Sequence, residues 1–235
     1  MGYKSISIAL YAAYLTNKYG YLMRNARSHD EIMRLRLEYS KTLFSRLNIN
    51  VAVLNKDKIP GNGQYLLISN HRSIIDPVII DLALEGSTIA GCWVAKKELY
   101  NSFFFGLFVR NSGAILIDRE AENMGPFFKE TKKLVKNGKS IYIFPEGTRN
   151  KENTLLSEFK EGSRIIALKN RLPMLPVYIK TNSDAVLSEA VHKRTKNLTI
   201  EIEIGDPIDY KTKTPLGNSY KSAFNLDVCA ATEFA

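Results

Sequence analysis

The chain has 235 residues, 45% of them hydrophobic, which is enough to bury the core of one large domain. Its two cysteines, Cys92 and Cys229, are too few and too far apart for a disulfide framework or a zinc site, so we expect a reducing compartment. The 33 Lys and Arg residues against 24 Asp and Glu leave a net charge of +9, which favours an anionic partner: nucleic acid, a phosphorylated metabolite or an anionic lipid surface.

The first 50 residues carry more than half of this positive charge, with eight Lys or Arg against three Asp or Glu. Two helices are predicted here, over residues 3–22 and 30–47, and the second has apolar side chains at helical spacing from Ile32 to Leu47. One interpretation is a helical hairpin packed on the core. Another is an interfacial anchor, with apolar side chains in lipid and basic ones on headgroups. The two are compatible, and we expect residues 1–48 to be a membrane-associating hairpin.

No uncharged run is long enough to predict a membrane-spanning helix. Residues 5–17 are uncharged, but a spanning helix needs about 20 predominantly apolar residues. The N-terminus also lacks a signal-peptide cleavage pattern, and Ile6 stands where N-myristoylation requires Ser or Thr. We therefore expect a peripheral or monotopic protein on the cytoplasmic face of the membrane.

From Ile49 onward, short apolar runs alternate with longer amphipathic ones, which predicts an α/β domain over 49–235. We expect a mostly parallel or mixed sheet flanked by helices. The run LTIEIEI alternates apolar and acidic residues, which is typical of an edge or half-exposed strand. Strands are predicted at 49–54, 65–69, 88–95, 114–117, 140–144, 174–180 and 198–204, and helices at 77–85, 97–109, 123–137 and 158–170.

The stretch ISNHRSIIDP places His71 and Asp76 five positions apart. Residues at i and i+5 do not share a helix face, and in a strand they would lie roughly 17 Å apart. The two side chains can meet only if the chain doubles back between them. Asp is a favoured N-cap and Pro a favoured first helical residue, so Asp76 is expected to cap a helix that begins at Pro77. The pair is thus predicted in a loop between a strand and a helix.

Four polar clusters each follow directly on a predicted strand. Ligands of open parallel sheets bind beyond the carboxyl ends of the strands, so we expect these clusters to share one edge. They are Asn70–Ser73, Lys96–Glu98, Asp118–Arg119 and Pro145–Arg149.

This set of residues suits base-assisted transfer beside a bound phosphate. His71 can accept a proton near neutral pH, while Asp76 on its other ring nitrogen fixes the tautomer. Arg side chains can fork onto phosphate oxygens and Lys side chains can act there as point charges. The candidate cations are Lys96, Lys97, Arg119 and Arg149.

Plainer interpretations stand beside these assignments. A single Lys or Arg is more often a solvated surface cation. Glu146 is expected to close its loop by hydrogen bonding rather than to transfer protons. Ser69 and Ser73 are poor nucleophile candidates because the chain lacks G-x-S-x-G, so the hydroxyl that His71 activates is expected on a substrate.

The remaining candidates carry weaker signals. His29 and His192 lack carboxylate or Cys neighbours at metal spacing and are expected on the surface, and no zinc, EF-hand, P-loop or dinucleotide motif occurs. The run Phe103–Phe108 is typical of core or helix packing. It could also line an acyl-chain groove or dip into lipid.

Four blocks of the chain are distinctive together: NHRSIID (70–76), GAILIDR (113–119), FPEGTR (144–149) and LPVYI (175–179). In order and spacing they resemble the glycerolipid acyltransferases, and the bacterial 1-acyl-glycerol-3-phosphate acyltransferases above all. The resemblance covers about residues 50–205, and KKEL and FKEGS also look like flanking segments of that family. The region from about Asp209 to the C-terminus matches nothing we can use.

The resemblance implies an α/β acyltransferase domain preceded by helices that seat it on a membrane. His71 would deprotonate the free hydroxyl of a lysophospholipid, with Asp76 orienting it, and the oxygen would attack the thioester of acyl-CoA or an acyl-carrier protein. The acceptor's phosphate would be held by Arg119, Arg149 and a lysine of the 96–97 pair. Glu146, Gly147 and Thr148 would shape the loop, with a backbone N–H facing the developing oxyanion. No metal or redox cofactor is implied.

Two alternatives remain open at this point. One is an acyltransferase of the same mechanism that uses another lysolipid. The other is a non-catalytic basic module that binds anionic membranes or nucleic acid. Nucleic acid is disfavoured as a partner, because aromatic and basic residues do not interleave as they do in a nucleic-acid platform.

Overall fold

Seven strands form one sheet in the part of the chain that the computed structural model describes, which is residues 3–89, 91–152, 154–193 and 195–226. The strand order is β1-β7-β6-β2-β5-β3-β4. Every neighbouring pair is parallel except β6 and β7. The predicted α/β fold with a mostly parallel, mixed sheet is confirmed. The strands are β1 (Ile49–Leu54), β2 (Leu66–Ser69), β3 (Gly91–Lys96), β4 (Ile115–Ile117), β5 (Ser140–Ile143), β6 (Met174–Ile179) and β7 (Leu198–Ile204).

Helices cover both faces of this sheet. Neighbouring residues of β2 point to opposite faces: Leu67 joins the core cluster under α1, α2, α3 and α7, and Leu66 joins the cluster under α5, α6 and α8. The protein therefore has three layers. The helices are α1 (Tyr3–Arg24), α2 (His29–Leu47), α3 (Asp76–Ala83), α4 (Gly106–Asn111), α5 (Gly125–Lys136), α6 (Gly162–Asn170), α7 (Ser183–His192) and α8 (Leu216–Ala223), with 3₁₀ turns at Lys56–Lys58 and Lys97–Asn101.

The two N-terminal helices form the predicted hairpin and share the core of the sheet. Helix α2 begins after Ser28, whose hydroxyl accepts the Glu31 N–H at 3.1 Å, an N-cap that the sequence favours. Leu15 and Tyr39 lie in the same buried cluster as the strand residues of β6 and β7. The division into segments 1–48 and 49–235 stays a prediction.

Helix α1 also packs closely on α4. A Cβ at Gly20 would lie 2.8 Å from the backbone nitrogen of Phe108, so only glycine permits this approach. The Asn111 amide donates to the Gly20 carbonyl at 3.1 Å across the same contact. This packing brings the preceding turn, with Phe103 and Phe104, to the side of the molecule that carries α1.

Among the described helices, none combines the length and the apolarity that crossing a bilayer requires. The outer face of α1 nevertheless exposes Leu10 at 66% and Tyr14 at 62%, and Phe103 is 89% exposed. The prediction of Phe103–Phe108 as core or helix-packing material is therefore wrong for Phe103 and right for Phe108, which packs against the core.

Three expectations about elements need correction. The single helix predicted over 97–109 is broken at Ser102, whose extended ψ of 133° separates a 3₁₀ turn from α4. The run LTIEIEI is half-exposed, as predicted, but it is not an edge, because β1 pairs with its outer side. Helices α7 and α8 were not predicted.

Candidate active site

His71 and Asp76 meet in the loop between β2 and α3. The His71 Nδ1 lies 2.8 Å from Asp76 Oδ2, with the aspartate fully buried and the imidazole side chain 18% exposed. The chain doubles back between them, as the spacing predicted. A buried carboxylate on Nδ1 holds the ring by one nitrogen and leaves Nε2 available for proton transfer.

The Asp76 carboxylate is the centre of a small hydrogen-bond network. Its Oδ2 also accepts the backbone N–H groups of Arg72 at 2.6 Å and Ser73 at 2.8 Å. Its Oδ1 accepts the hydroxyl of Ser183 at 2.6 Å. The predicted helix-capping role of Asp76 is wrong: Asp76 is the first residue of α3, Ile75 occupies the cap position, and the carboxylate turns back onto the loop.

Asn70 joins the end of β2 to β6. Its side-chain oxygen accepts the Ile179 N–H at 2.8 Å and its amide donates to the Ile179 carbonyl at 3.0 Å. The buried Tyr220 hydroxyl accepts the Asn70 N–H at 3.2 Å and donates to the Val177 carbonyl at 2.7 Å. The C-terminal helix α8 therefore supports the residue before the histidine.

The loop after β5 holds the backbone of His71 from the other side. Glu146 Oε1 accepts the His71 N–H at 2.6 Å, and Oε2 accepts the Ser157 N–H at 2.8 Å. The Asn150 N–H donates to the His71 carbonyl at 2.7 Å. Burial raises the pKa of the Glu146 carboxyl, and these backbone donors only partly oppose that shift. Glu146 thus closes its loop, as expected, while its contact with substrate stays a prediction.

The predicted cations lie on this loop and at the carboxyl ends of β3 and β4, which are the next strands of the sheet. The Arg119 guanidinium lies over Gly147, 3.1 Å from where a Cβ would stand, and Gly147 has a φ of +73° that also favours glycine. Arg149 and Thr148 are exposed on the same loop, and Lys96 is exposed at the end of β3. The carboxyl ends meet as predicted because β2, β5, β3 and β4 are parallel neighbours.

The four cations differ in how their charge is balanced. Lys97 pairs with Asp118 at 3.0 Å, and this hydrogen bond lowers the pKa of Asp118. Among the described residues, no carboxylate forms an ion pair with Lys96, Arg119 or Arg149. Those three are therefore the better anion ligands. Their role in substrate binding stays a prediction.

The two other histidines have separate outcomes. His192 is exposed, as expected. His29 is only partly exposed, because α2 begins against β3 and the His29 Nε2 lies 3.8 Å from the sulfur of buried Cys92. The expectation of a surface residue therefore holds only in part. Burial lowers the pKa of His29. In the described part of the chain, no three His, Cys, Asp or Glu side chains gather as a metal site would require.

Sequence reasoning missed Ser183 and Tyr220, which support the two ends of the NHRSIID loop. The only local signal was Asn182, a favoured N-cap whose side chain accepts the Ala185 N–H at 3.1 Å and so starts α7 at Ser183. That signal predicts a helix start but not its place beside Asp76, which follows from the pairing of β6 with β2.

The arrangement fits one class of protein: an α/β group-transfer enzyme with a base at the carboxyl edge of its sheet and cations beside it. The family model described as Acyltransferase matches residues 50–180, more than half of the chain. The chain belongs to the acyltransferase family. The resemblance seen in the four sequence blocks is thereby confirmed.

Curated relatives carry a more specific name. The 1-acyl-sn-glycerol-3-phosphate acyltransferase of Helicobacter pylori is 35% identical over 63% of this chain and 64% of its own length. The protein of that name from Bacillus subtilis is 30% identical over 67% of this chain and 73% of its own. The human alpha form is 26% identical over 79% and 63%. The chain therefore spans less than two thirds of some of the relatives it matches.

A solved structure shares the fold almost end to end. The 1-acyl-sn-glycerophosphate (LPA) acyltransferase PlsC from Thermotoga maritima has a TM-score of 0.68, with 97% of this chain and 95% of that one covered. Its sequence identity is 21%, so the likeness concerns the fold.

Proposed function

We propose that the protein is a 1-acyl-sn-glycerol-3-phosphate O-acyltransferase, which acylates the free hydroxyl of lysophosphatidic acid to form phosphatidic acid in phospholipid biosynthesis. The observation that carries the proposal is the His71–Asp76 pair beside the 144–150 loop, which bears Arg149 and is contacted at Gly147 by the Arg119 guanidinium. The acceptor has a hydroxyl and a phosphomonoester on one small molecule, so it requires a base and cations at one sheet edge. Membership of the acyltransferase family and the names of the relatives support the same reaction.

In the proposed reaction, Nε2 of His71 removes the proton from the acceptor hydroxyl as its oxygen attacks the thioester carbonyl. The buried carboxylate of Asp76 accepts the Nδ1–H throughout and stabilises the imidazolium that forms. The tetrahedral intermediate then expels the thiolate, which accepts from Nε2 the proton that came from the hydroxyl. One C–S bond breaks, one C–O bond forms, and the base returns to its starting state.

The acceptor's phosphate is assigned to Arg149, Arg119 and Lys96, the three site cations that pair with no carboxylate among the residues the structure describes. Lys97 contributes less, because Asp118 already balances its charge. The Gly147 N–H donates to the Phe144 carbonyl at 3.0 Å and is therefore occupied. The backbone N–H of Thr148 or Arg149 is therefore assigned as the donor to the developing oxyanion.

The donor is an acyl thioester of coenzyme A or of an acyl-carrier protein, which acts as a co-substrate. The proposed steps use no metal or redox cofactor, since proton transfer and charge stabilisation come from side chains and backbone. We place the enzyme on the cytoplasmic face of the membrane as a peripheral or monotopic protein, with the apolar face of α1 and Phe103 toward the lipid. Nucleic acid is not a proposed partner.

A panel of lysolipids, each given with an acyl thioester, tests the proposal on the purified protein. We expect product with lysophosphatidic acid and little with diester lysolipids. The His71→Ala variant is expected to lose at least about 100-fold in kcat while still binding liposomes. Product from another lysolipid alone would overturn the acceptor assignment. Undiminished activity in His71→Ala would overturn the assignment of the base, and a lack of product with every pair would overturn the proposed function.

A further inference from the structure

The imidazole of His71 is stacked on an aromatic ring as well as bonded to Asp76. The ring of Phe144 lies parallel to it, with centroids 4.0 Å apart and an interplanar angle of 10°. Trp93 stacks on Phe144 with centroids 4.8 Å apart and an angle of 20°. Two nearly parallel partners occupy opposite faces of one ring, so Phe144 is held between the histidine and the indole.

The indole of Trp93 is itself held by an ion pair that joins α2 of the N-terminal hairpin to α3. Its Nε1 donates to Asp81 Oδ1 at 3.3 Å. Arg36 of α2 forks onto both oxygens of Asp81, with the Nε contact at 3.2 Å, and its guanidinium also donates to the Gly91 carbonyl at 2.9 Å. The Arg36 side chain is 2% exposed. An arginine in this setting is held in one orientation by its acceptors.

Tyr142 closes the remaining side of the indole. Its ring meets Trp93 edge to face, with centroids 5.4 Å apart, and its hydroxyl donates to the Ile89 carbonyl at 2.8 Å. A Cβ at Gly91 would fall 2.1 Å from the Tyr142 ring, so the glycine makes room for it. The indole therefore cannot shift without moving groups that are themselves buried.

We propose that Trp93 and Phe144 are positioning residues for the His71 base, anchored to the N-terminal hairpin through Asp81 and Arg36. This inference rests on the proposed function and adds to it the structural link between the hairpin and the base. The Asp76 hydrogen bond holds one nitrogen but permits the ring to rotate about it. A flat neighbour with a fixed backing resists that rotation and keeps Nε2 aimed at the acceptor hydroxyl.

Trp93 is the residue on which to test the link, because it is 9% exposed and Phe144 separates it from the imidazole. In Trp93→Leu the backing is lost, and we expect kcat to fall roughly 10- to 100-fold with KM for both substrates little changed, since misplacing a reacting group by about 1 Å has an effect of that order. In Trp93→Phe an aromatic face remains, and most of the activity is expected to return. Wild-type kcat in Trp93→Leu, or a change confined to KM, would overturn the proposal.

A measurement without substrate separates positioning from a merely structural role. The chain has three histidines, so its imidazole proton spectrum is small, and exposed His192 is an internal reference. The stacked Phe144 ring is expected to move the His71 ring protons upfield of those of His192. Phe144→Leu should abolish this displacement and Phe144→Tyr should preserve it. A wild-type His71 signal without displacement would overturn the proposal, whatever the activity of the enzyme.

The hairpin end of the link is tested by two ion pairs between the same segments. Arg36→Lys keeps the charge but loses the forked contact, and we expect kcat to fall together with the ring-current displacement at His71. Glu85→Gln breaks the exposed pair with Lys41, which also joins α2 to the segment after α3 but does not touch Trp93. This control is expected to leave both quantities unchanged. Equal behaviour of the two variants would refute the role of Arg36.

Discussion

The backbone N–H of Asn150 donates to the carbonyl of His71 at 2.7 Å, so the residue after Arg149 is joined directly to the proposed base. Glu146 fixes the N–H of the same histidine from the same loop. These contacts exclude an arrangement in which the proposed base and Arg149, a proposed phosphate ligand, lie at opposite ends of the molecule. Such an arrangement would contradict the proposed mechanism. They also imply that changes in the 144–150 loop alter proton transfer and acceptor binding together.

Replacing Ser183 with Ala is predicted to impair catalysis although the residue does not reach the substrate side of the imidazole. The change leaves Oδ1 of the buried Asp76 without its 2.6 Å donor. A buried acceptor deprived of its partner costs about 1–3 kcal/mol. We expect a lower midpoint in urea and a lower kcat, with KM nearly constant. Ser188→Ala, an exposed position on the same helix, is the control; equal effects of the two changes would contradict the prediction.

Removing Arg149 is predicted to weaken acceptor binding far more than removing Lys97. A charge-assisted hydrogen bond contributes about 1.5–3 kcal/mol, so Arg149→Ala should raise KM for lysophosphatidic acid roughly 10- to 100-fold. Lys97→Ala should raise it less, because Lys97 is paired with Asp118. Initial rates at varied acceptor, with saturating thioester, measure both. Lys132→Ala on α5, which covers the sheet face opposite to α3, controls for a general loss of positive charge. A larger effect of Lys97→Ala than of Arg149→Ala would reverse the assignment.

Local patterns predicted much of this protein. All seven strands of the described sheet lie where short apolar runs stand between turn signals, and the contact of His71 with Asp76 follows from a spacing that no regular element satisfies. The prediction of one helix over 97–109 was wrong for a local reason as well. The apolar residues of this segment suggested a helix, but Ser102 takes an extended conformation. Gly106 packs where a Cβ would stand 2.7 Å from the Tyr100 carbonyl.

The supports of the site could not be predicted in the same way. Ser183 reaches Asp76 across 107 positions, and Tyr220 reaches Asn70 across 150. Such contacts depend on which strands become neighbours, and the sequence shows strands without their lateral order. The same reason explains why LTIEIEI is not an edge strand. Its alternation of apolar and acidic residues is typical of an edge or half-exposed strand, but β1, from much earlier in the chain, pairs with it.

The buried carboxylate of Glu146 is predicted to make stability fall as pH rises above 4.5. Burial raises its pKa from 4.5, so the folded state holds this proton more tightly than the unfolded chain does. Its contribution is therefore most favourable below pH 4.5 and is lost as the pH rises through the folded value. Unfolding by urea at several pH values measures this contribution as the wild-type free energy minus that of Glu146→Gln. Glu158→Gln, whose side chain is 88% exposed, is the control, and parallel curves for wild type and Glu146→Gln would contradict the prediction.

Membrane binding is predicted to depend on the exposed apolar side chains of α1 and of the turn before α4. Deleting the hairpin would be a poor test, because Leu15 and Tyr39 belong to the core of the sheet. We expect Leu10→Ser combined with Phe103→Ser to reduce co-sedimentation with anionic liposomes while kcat on detergent-dispersed acceptor is retained.

A matched variant and a change of salt make that prediction specific. Leu168→Ser removes a side chain that is 44% exposed on α6, over the opposite face of the sheet, and is expected to leave sedimentation unchanged. Raising the salt concentration should weaken the binding of the intact protein, because the proposed attraction between the hairpin's Lys and Arg residues and lipid headgroups is screened by salt. Binding that is insensitive to salt and to the Leu10 and Phe103 changes, but is lost in Leu168→Ser, would contradict the prediction. It would place the membrane contact on the face covered by α6.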